Sequence, residues 1–549
     1  MDETYLSDSE TSDTSSDDDF TLQYSSTESE SSCEESDTPL QIRRETFNKN
    51  FLWSKAGNFN PVIHEFNDSK AGLNPDLNFN SETKPIEIFE IFYSSEVMEM
   101  VCAMTNIYSD MKIESLRESD KLKSNSRFKS WKNLDPTELY TYYALTILMG
   151  IIRKPSLKMY WSTDPLLTTP VFAQYMSIRR FSLINTFLHY SDDESTDKLR
   201  KIRPMFEILI EKFRYAYRPG ENVSIDESLL KYKGRLSFKQ CILSKRSRFG
   251  IKIYKCCDSE NGYIYNASIY VGKDPADENK LIGVSGKVVV KLLVDLSGQG
   301  RTLFLDNWYS SPSLFAYLYE RKNNVIGTVR TNRKHMPNTK GLKLHKLARN
   351  STLIFHSETL LVVMWKDKKV VTILSTLPGS DFVETSKIDH KTGEKVKKPG
   401  VVAKYNKSMG GVDRCDQIIK PYEIERKHYR WYQRIADNLL DMTIYNANII
   451  YNLSHEKKMN HCDFRTQLVR ELLEKYSTKS NTGVHRQSKN VSLEKNTHEL
   501  VKIPTGNENK RKRLRCHNCS EEKKIRVDTT WMCRQCETPL CKNCFDSLH

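Results

Sequence analysis

In residues 222–235, NVSIDESLLKYKGR, and 249–272, FGIKIYKCCDSENGYIYNASIYVG, the chain changes its period. From Ile86 to Tyr190 the apolar residues recur at helical spacing. From Asn222 they read as strand, turn, strand, with Glu260-Asn261-Gly262 as a hairpin turn. A helical stretch near Lys287–Leu296, an apolar strand Thr302–Leu305 and a helix Pro312–Lys322 started by Ser311-Pro312 come next. Three strands, helix, strand, helix predicts a mixed α/β sheet. Residues 351–376 add two strands, LLVVMW and VVTIL, joined by Lys366-Asp367-Lys368-Lys369, and a long amphipathic helix, Lys427–Leu453, follows Pro421.

Upstream, Asp135-Pro136-Thr137-Glu138 carries an Asp cap, Pro in the first turn and Glu three residues after the cap. The helix it starts, Leu139–Ile152, is apolar nearly all round and belongs in a core; another runs near Ser177–Leu188. Residues 41–80 read as a loosely ordered leader and 456–509 as a polar linker. Residues 1–40 are Ser and acid with too few apolar groups to offset chain entropy, and are expected to be disordered.

The whole chain, 549 residues, carries a net charge of +14, but residues 1–42 hold 13 Asp/Glu and no Lys or Arg, so the other 507 residues carry +27. So basic a body suits a polyanion, nucleic acid first. The acidic tail is either a solubilising segment or a competitor for the basic body that phosphorylation would strengthen. The longest mostly apolar run, Leu139–Ile152, is too short to span a bilayer, and the N-terminus lacks the features of a secretory signal.

Three aspartates stand out: Asp226 in SIDESLLKYKGR, Asp306 in LFLDNWYSSP (303–312) and Asp413 in YNKSMGGVDRCDQ (405–417), with Asp416 a turn further on. Taken singly, Asp226 reads first as an exposed strand residue, and Asp413 as a helix cap. Asp306 ends an apolar strand before a helix already capped by Ser310 or Ser311, so capping does not account for it. Three carboxylates on separate elements suit metal-assisted phosphoryl transfer, with Mg²⁺ (or Mn²⁺) held by oxygen. No GxSxG, HExxH or GxxxxGK[ST] pattern occurs.

KIRPMF (201–206), SIDESLLKYKGR, FLDNWYSS (304–311), GTVRTNR (327–333) and YNKSMGGVDRCDQ occur in that order, after YALTILMGI, MYWSTDPLLTTPVF and RRFSLINTFLHYSDD. In these motifs the chain resembles piggyBac-type transposases over roughly residues 85–455. The resemblance implies a ribonuclease H-like α/β catalytic core with an insertion between the second and third acids. It also implies Asp226, Asp306 and Asp413 as the catalytic, Mg²⁺-holding triad, with Asp416 beside them, and excision and reinsertion at TTAA by DNA-bound homodimers. The expected division is a tail and leader (1–80), a helical dimerisation and DNA-binding domain (81–205), the core (206–320 and 401–455), the insertion (321–400), the linker, and a basic run with a zinc domain (510–549).

Cations mixed with aromatics in Lys239–Lys255, Arg330–His335 and ERKHYRWYQR (425–434) nominate Arg330, Arg333, Lys334, Arg426, Lys427, Arg430 and Arg434 as DNA contacts. The same helix reads equally as a core face of Trp431, Ile435, Leu439 and Met442 with its cations in solvent. Cys516/Cys519, Cys533/Cys536 and Cys541/Cys544 form three C-x2-C pairs, and with His549 they offer seven zinc ligands of the eight that two tetrahedral sites need. Disulfide pairing is the alternative, disfavoured without an export signal. The resemblance implies a cross-braced domain that reads the element's terminal DNA. KRKRLR (510–515) reads as a nuclear import signal or as further phosphate contact. The leading expectation is a cut-and-paste transposase. A host-adopted DNA-binding or chromatin protein and a RING-like ubiquitin ligase are the other two.

Overall fold

The computed structural model describes residues 51–55, 58–242, 248–272, 281–388, 393–424, 430–477, 498–503, 513–522, 524–534 and 536–548. The acidic tail, Arg426, Lys427, the first three residues of KRKRLR (510–512) and His549 therefore lie outside the described residues.

A helical layer comes first: α1 (Pro85–Phe92), α2 (Ser95–Glu118), α3 (Pro136–Ile151), α4 (Ile178–Phe187) and α5 (Arg203–Ala216). Helix α3 starts as its sequence requires. The Asp135 side chain accepts from the Glu138 N–H, Pro136 takes the first helical position, and residues 139–147 are all buried.

Among the described residues, the sheet that follows has nine strands. Those that matter here are β1 (Asn222–Lys231), β2 (Phe249–Asp258), β3 (Ile264–Ile269), β4 (Thr302–Leu305) and β5 (Asn324–Thr328), with α6 (Gly283–Leu292) and α7 (Pro312–Glu320) between them. Then come β6 (Thr352–His356), β7 (Leu361–Lys366) and β8 (Val370–Ser375). The order is β3-β2-β1-β4-β5-β8-β7-β6; β1, β4 and β5 are parallel neighbours and every other pairing is antiparallel. Residues 321–400, expected as an insertion, thus supply four strands to the same sheet. Their apolar residues explain why: Leu361–Trp365 are buried on both faces, which a central strand requires. Within this segment the ribbon β9 (Phe382–Ile388) and β10 (Lys395–Pro399) pairs apart from it.

Strand alternation divides the core. Val223, Ile225, Leu303 and Leu305 point towards α6 and α7. On the other face, Ile251, Ile253 and Cys257 of β2 meet the helical layer, and Phe304 and Ile326 meet α8 (Gly400–Ser408). Helix α9 (Gly411–Ile419) follows, then α10 (Trp431–Ser454), buried from Tyr432 to Ile450, and α11 (His461–Tyr476).

Two expectations fail here. The leader is a strap: Ser54 forms a two-bond β-bridge with His356 on the sheet edge, and the Asn324 amide holds the His64 backbone. Residues 461–476, taken for linker, form α11, capped by Asn460 and buried through Phe464, Leu468 and Leu472. Its spacing of four is helical, but its charged residues masked it.

Helices α10 and α11 are joined by Arg465 and Asp441, both fully buried, 2.8 Å apart. Burial lifts the Asp441 carboxyl to about 6 despite its partner. Arg465→Met leaves an uncompensated buried carboxylate, so urea unfolding of the purified protein should show a loss of about 3–5 kcal/mol at pH 8.

Candidate functional site

Strands β1 and β4 pair in parallel with Ile225 opposite Leu305. One step further along, Asp226 comes level with Asp306, where β4 ends and β1 continues. Adjacent strands lie about 4.8 Å apart, so the two carboxylates rise side by side from the carboxyl end of a parallel pair, where a sheet opens a crevice. Asp306 is further oriented by its loop: its side chain accepts the Trp308 N–H at 2.5 Å, while Ser311 caps α7. Capping of α7 therefore leaves Asp306 available, as the sequence suggested.

Asp413 arrives on α9, at the third position of that helix, and no side-chain cap bond holds the helix start. The reason α9 reaches so close is Gly411. A Cβ there would collide with Ser224 Oγ and the Asp258 carbonyl, so only glycine lets the helix settle onto β1 and β2.

The charges of the neighbouring carboxylates act on Asp226. Burial pushes the Asp226 carboxyl up to about 7, helped by the charges of Glu227, Asp306 and Asp413 and opposed by the Glu227 backbone N–H. Asp306 is also raised, first by burial and then by Glu227, while Lys252 and Arg330 oppose the rise. The Tyr405 phenol is pushed up to about 12, by burial and by the same three aspartates, and its oxygen lies 3.4 Å from Thr328 Oγ1. Asp226 and Asp306 are part-buried and Asp413 is exposed; carboxylate oxygens are the donor type that Mg²⁺ prefers.

Asp416 is differently placed. Its Oδ1 receives Lys255 Nζ and Ser228 Oγ, each at 2.8 Å. Sequence reading placed Lys255 in a DNA-facing stretch, yet it is buried. The signal was present: Lys255 shares its strand face with Ile251, Ile253 and Cys257.

The nominated cations separate into two groups. Arg330, Arg333 and Lys334 line a cleft of about 520 Å³ with Trp308, Ser311 and Ser313. Arg333 donates to the Asn307 and Trp308 carbonyls at 2.9 and 2.6 Å, and Arg330 to Asn307 Oδ1 at 3.3 Å, which ties them to the Asp306 loop. Arg434 is a correction. It is 4 % exposed, and its guanidinium binds Glu423, the Ile424 carbonyl and the Lys231 carbonyl, leaving no face for phosphate. Arg430 is half-buried, donating to the Thr186 carbonyl and Tyr108 Oη. The core reading of this helix holds for Ile435, Leu439 and Met442.

In the C-terminal segment Cys516, Cys519, Cys541 and Cys544 converge, with Cys519 Sγ 3.8 Å from Cys541 Sγ and 3.4 Å from Cys544 Sγ. A tetrahedral zinc with bonds of about 2.3 Å spaces its sulfurs about 3.8 Å apart, so the set fits zinc. No disulfide joins the described cysteines. Burial disfavours ionising Cys516, but backbone N–H groups of Cys519 and Cys541 bring it down to about 7. The second set is Cys533, Cys536 and His498, whose Nδ1 is 3.4 and 3.5 Å from the two sulfurs. His498 was missed because it lies in the apparent linker. A short ladder, Leu500–Lys502 against Trp531–Cys533, carries it there. Along the chain the two sets interleave.

The family model described as Transposase IS4 matches residues 84–448. This span contains all four aspartates. The chain is a piggyBac-type transposase family member. It is 26% identical to human PiggyBac transposable element-derived protein 3 over 490 residues, covering 86% of this chain and 78% of that one. The human PiggyBac transposable element-derived protein 2 is also 26% identical, over 428 residues. Among solved structures, a cryo-EM structure of piggyBac transposase in a synaptic complex with hairpin DNA matches with TM-score 0.67 and 23% identity, over 86% of this chain and 98% of that one. Among the described residues, no helix is long and apolar enough to cross a membrane.

An Asp with a raised folded value is stabilising to protonate. Its ionisation penalty is absent below about 4, the unfolded value, grows as pH rises and is complete above about 7. In metal-free protein, Asp226→Asn should therefore be more stable than wild type by about 1–3 kcal/mol at pH 8, with the gap closing towards pH 4. Thermal melts in chelator at both pH values measure it; a pH-independent difference would contradict the burial of this charge.

Proposed function

We propose that this chain is a cut-and-paste DNA transposase in which Asp226, Asp306 and Asp413 form the catalytic triad. The observation that supports the reading is that Asp306, just past the end of β4, and Asp413, exposed on α9, both act electrostatically on the part-buried Asp226 of β1. The order β3-β2-β1-β4-β5, with acids on the first and fourth strands and on a following helix, supports a ribonuclease H-like core.

The three carboxylates would hold Mg²⁺ or Mn²⁺, which supplies activation of the attacking water or 3′-hydroxyl and stabilisation of the departing oxygen. Arg330, Arg333 and Lys334 lie beside the Asp306 loop and would bind the phosphates flanking the scissile bond. Trp308, in the same cleft, offers a ring to an unpaired base. Element ends bordered by TTAA, a DNA-bound homodimer and action in the nucleus complete the reading, as the family resemblance implies. The two interleaved ligand sets support a zinc domain that selects the element's ends.

Asp226→Asn, Asp306→Asn and Asp413→Asn should each reduce strand cleavage of a labelled element end by at least about 10³-fold while DNA affinity persists, since the swap keeps shape and removes metal-holding charge. Near wild-type cutting by one of them would remove that residue from the triad. An end-cleavage assay negative for wild type would favour the second reading, a host-adopted DNA-binding protein, which the names of the human relatives keep open.

His498→Ala should release zinc from one site only. Metal analysis would then show about half the zinc of wild type, with binding to the element's own ends weakened more than binding to unrelated duplex. Full zinc retention would return the seventh ligand to another residue.

A further inference from the structure

Asp413 is bracketed on its helix by two attachments to the sheet. Two residues before it, Gly411 lies directly against Ser224 and Asp258. Three residues after it, Asp416 is held by Ser228 of β1 and Lys255 of β2. The second attachment is asymmetric. Lys255 is 2 % exposed, whereas the Asp416 side chain is 42 % exposed. The buried ammonium has few places to put its charge: its nitrogen is 2.8 Å from Asp416 Oδ1 and 3.6 Å from Cys415 Sγ, both on α9. An ammonium in such a place without a carboxylate is costly, so the helix is drawn to where Asp416 meets it. Lys255 is also the residue paired directly across the ladder from Asp226. The same cation therefore lies beside the first aspartate, on the same face of the sheet, and holds the helix that carries the third.

We propose that Lys255 is a positioning residue of the cleavage site, setting α9 on the sheet through Asp416 so that Asp413 faces Asp226 and Asp306. The inference rests on the reading of those three as the catalytic set. Asp416 then acts through Lys255 and Ser228 rather than on the reacting atoms, and the charge of Lys255 is committed to Asp416, leaving the triad to be neutralised by metal. Ser228, two residues from Asp226 along β1 and on the same face, completes the clamp from the strand that carries the first acid.

The test uses the full-length, zinc-loaded chain and four proteins: wild type, Lys255→Met, Asp416→Asn and the double variant. Methionine fills the same apolar channel without charge, and the exposed Asp416 carboxylate it frees is solvated. Asp416→Asn instead strands a buried ammonium. In urea unfolding without Mg²⁺ or Mn²⁺, Asp416→Asn should therefore be the less stable single variant, and adding Lys255→Met to it should restore stability. Strictly additive effects would overturn the proposal.

Mn²⁺ binding to the triad, measured by calorimetry against Asp226→Asn as the blank, should weaken at least tenfold in Lys255→Met. Cleavage of pre-bound DNA should slow at least tenfold with DNA affinity unchanged. Wild-type Mn²⁺ affinity and wild-type cleavage rate in folded Lys255→Met would overturn the proposal. Should Lys255→Met not fold, the double variant carries the Mn²⁺ comparison with the same two outcomes. If wild type itself cuts no element end, the transposase reading fails, while the stability cycle and the Mn²⁺ affinities still decide the role of Lys255.

Discussion

Carboxylates brought together in a part-buried crevice repel, and this chain gathers several. Asp226 bears the cost most plainly, with burial and the charges of Glu227, Asp306 and Asp413 all acting against its ionisation. Such a cluster persists only if the surrounding structure holds it, and each arm is held by ordinary fold-building forces. Asp226 lies within a strand paired on both sides, Asp306 in a loop locked by Trp308 and Arg333, and Asp413 on a helix seated by Gly411 and Asp416.

This arrangement accounts for the distribution of cations. Those near the cluster are kept off the carboxylates themselves: Lys255 is engaged by Asp416, and Arg333 by backbone carbonyls. Arg330 and Lys252 lower Asp306 from a distance without closing the site. A direct ion pair to the aspartates would neutralise them permanently and exclude a metal. Arg434 and Arg465, by contrast, are buried structural cations joining the helices around α10 to their neighbours.

The zinc segment follows a different logic. Its described elements are two- and three-residue strands and short helices, and its apolar cluster consists largely of the cysteines themselves. With so small a core, metal held by the two sets would supply folding energy in its place, and their interleaving makes each depend on the same few turns.

Much of this was legible in the residues. The change of period at Asn222, the Asp135 cap, the strand, helix, strand order around Asp306 and the three C-x2-C pairs depend on neighbours a few positions apart, and local chemistry determines them. What the tertiary structure decided depends on partners far along the chain. Lys255 and Arg434 looked like surface cations because their partners, Asp416 and Glu423, arrive on other elements. His498 looked like linker because its sulfurs lie 35 and 38 positions away. A charged or metal-binding side chain shows its character in sequence, but whether it meets solvent, a partner or an ion is settled by the packing that removes water around it.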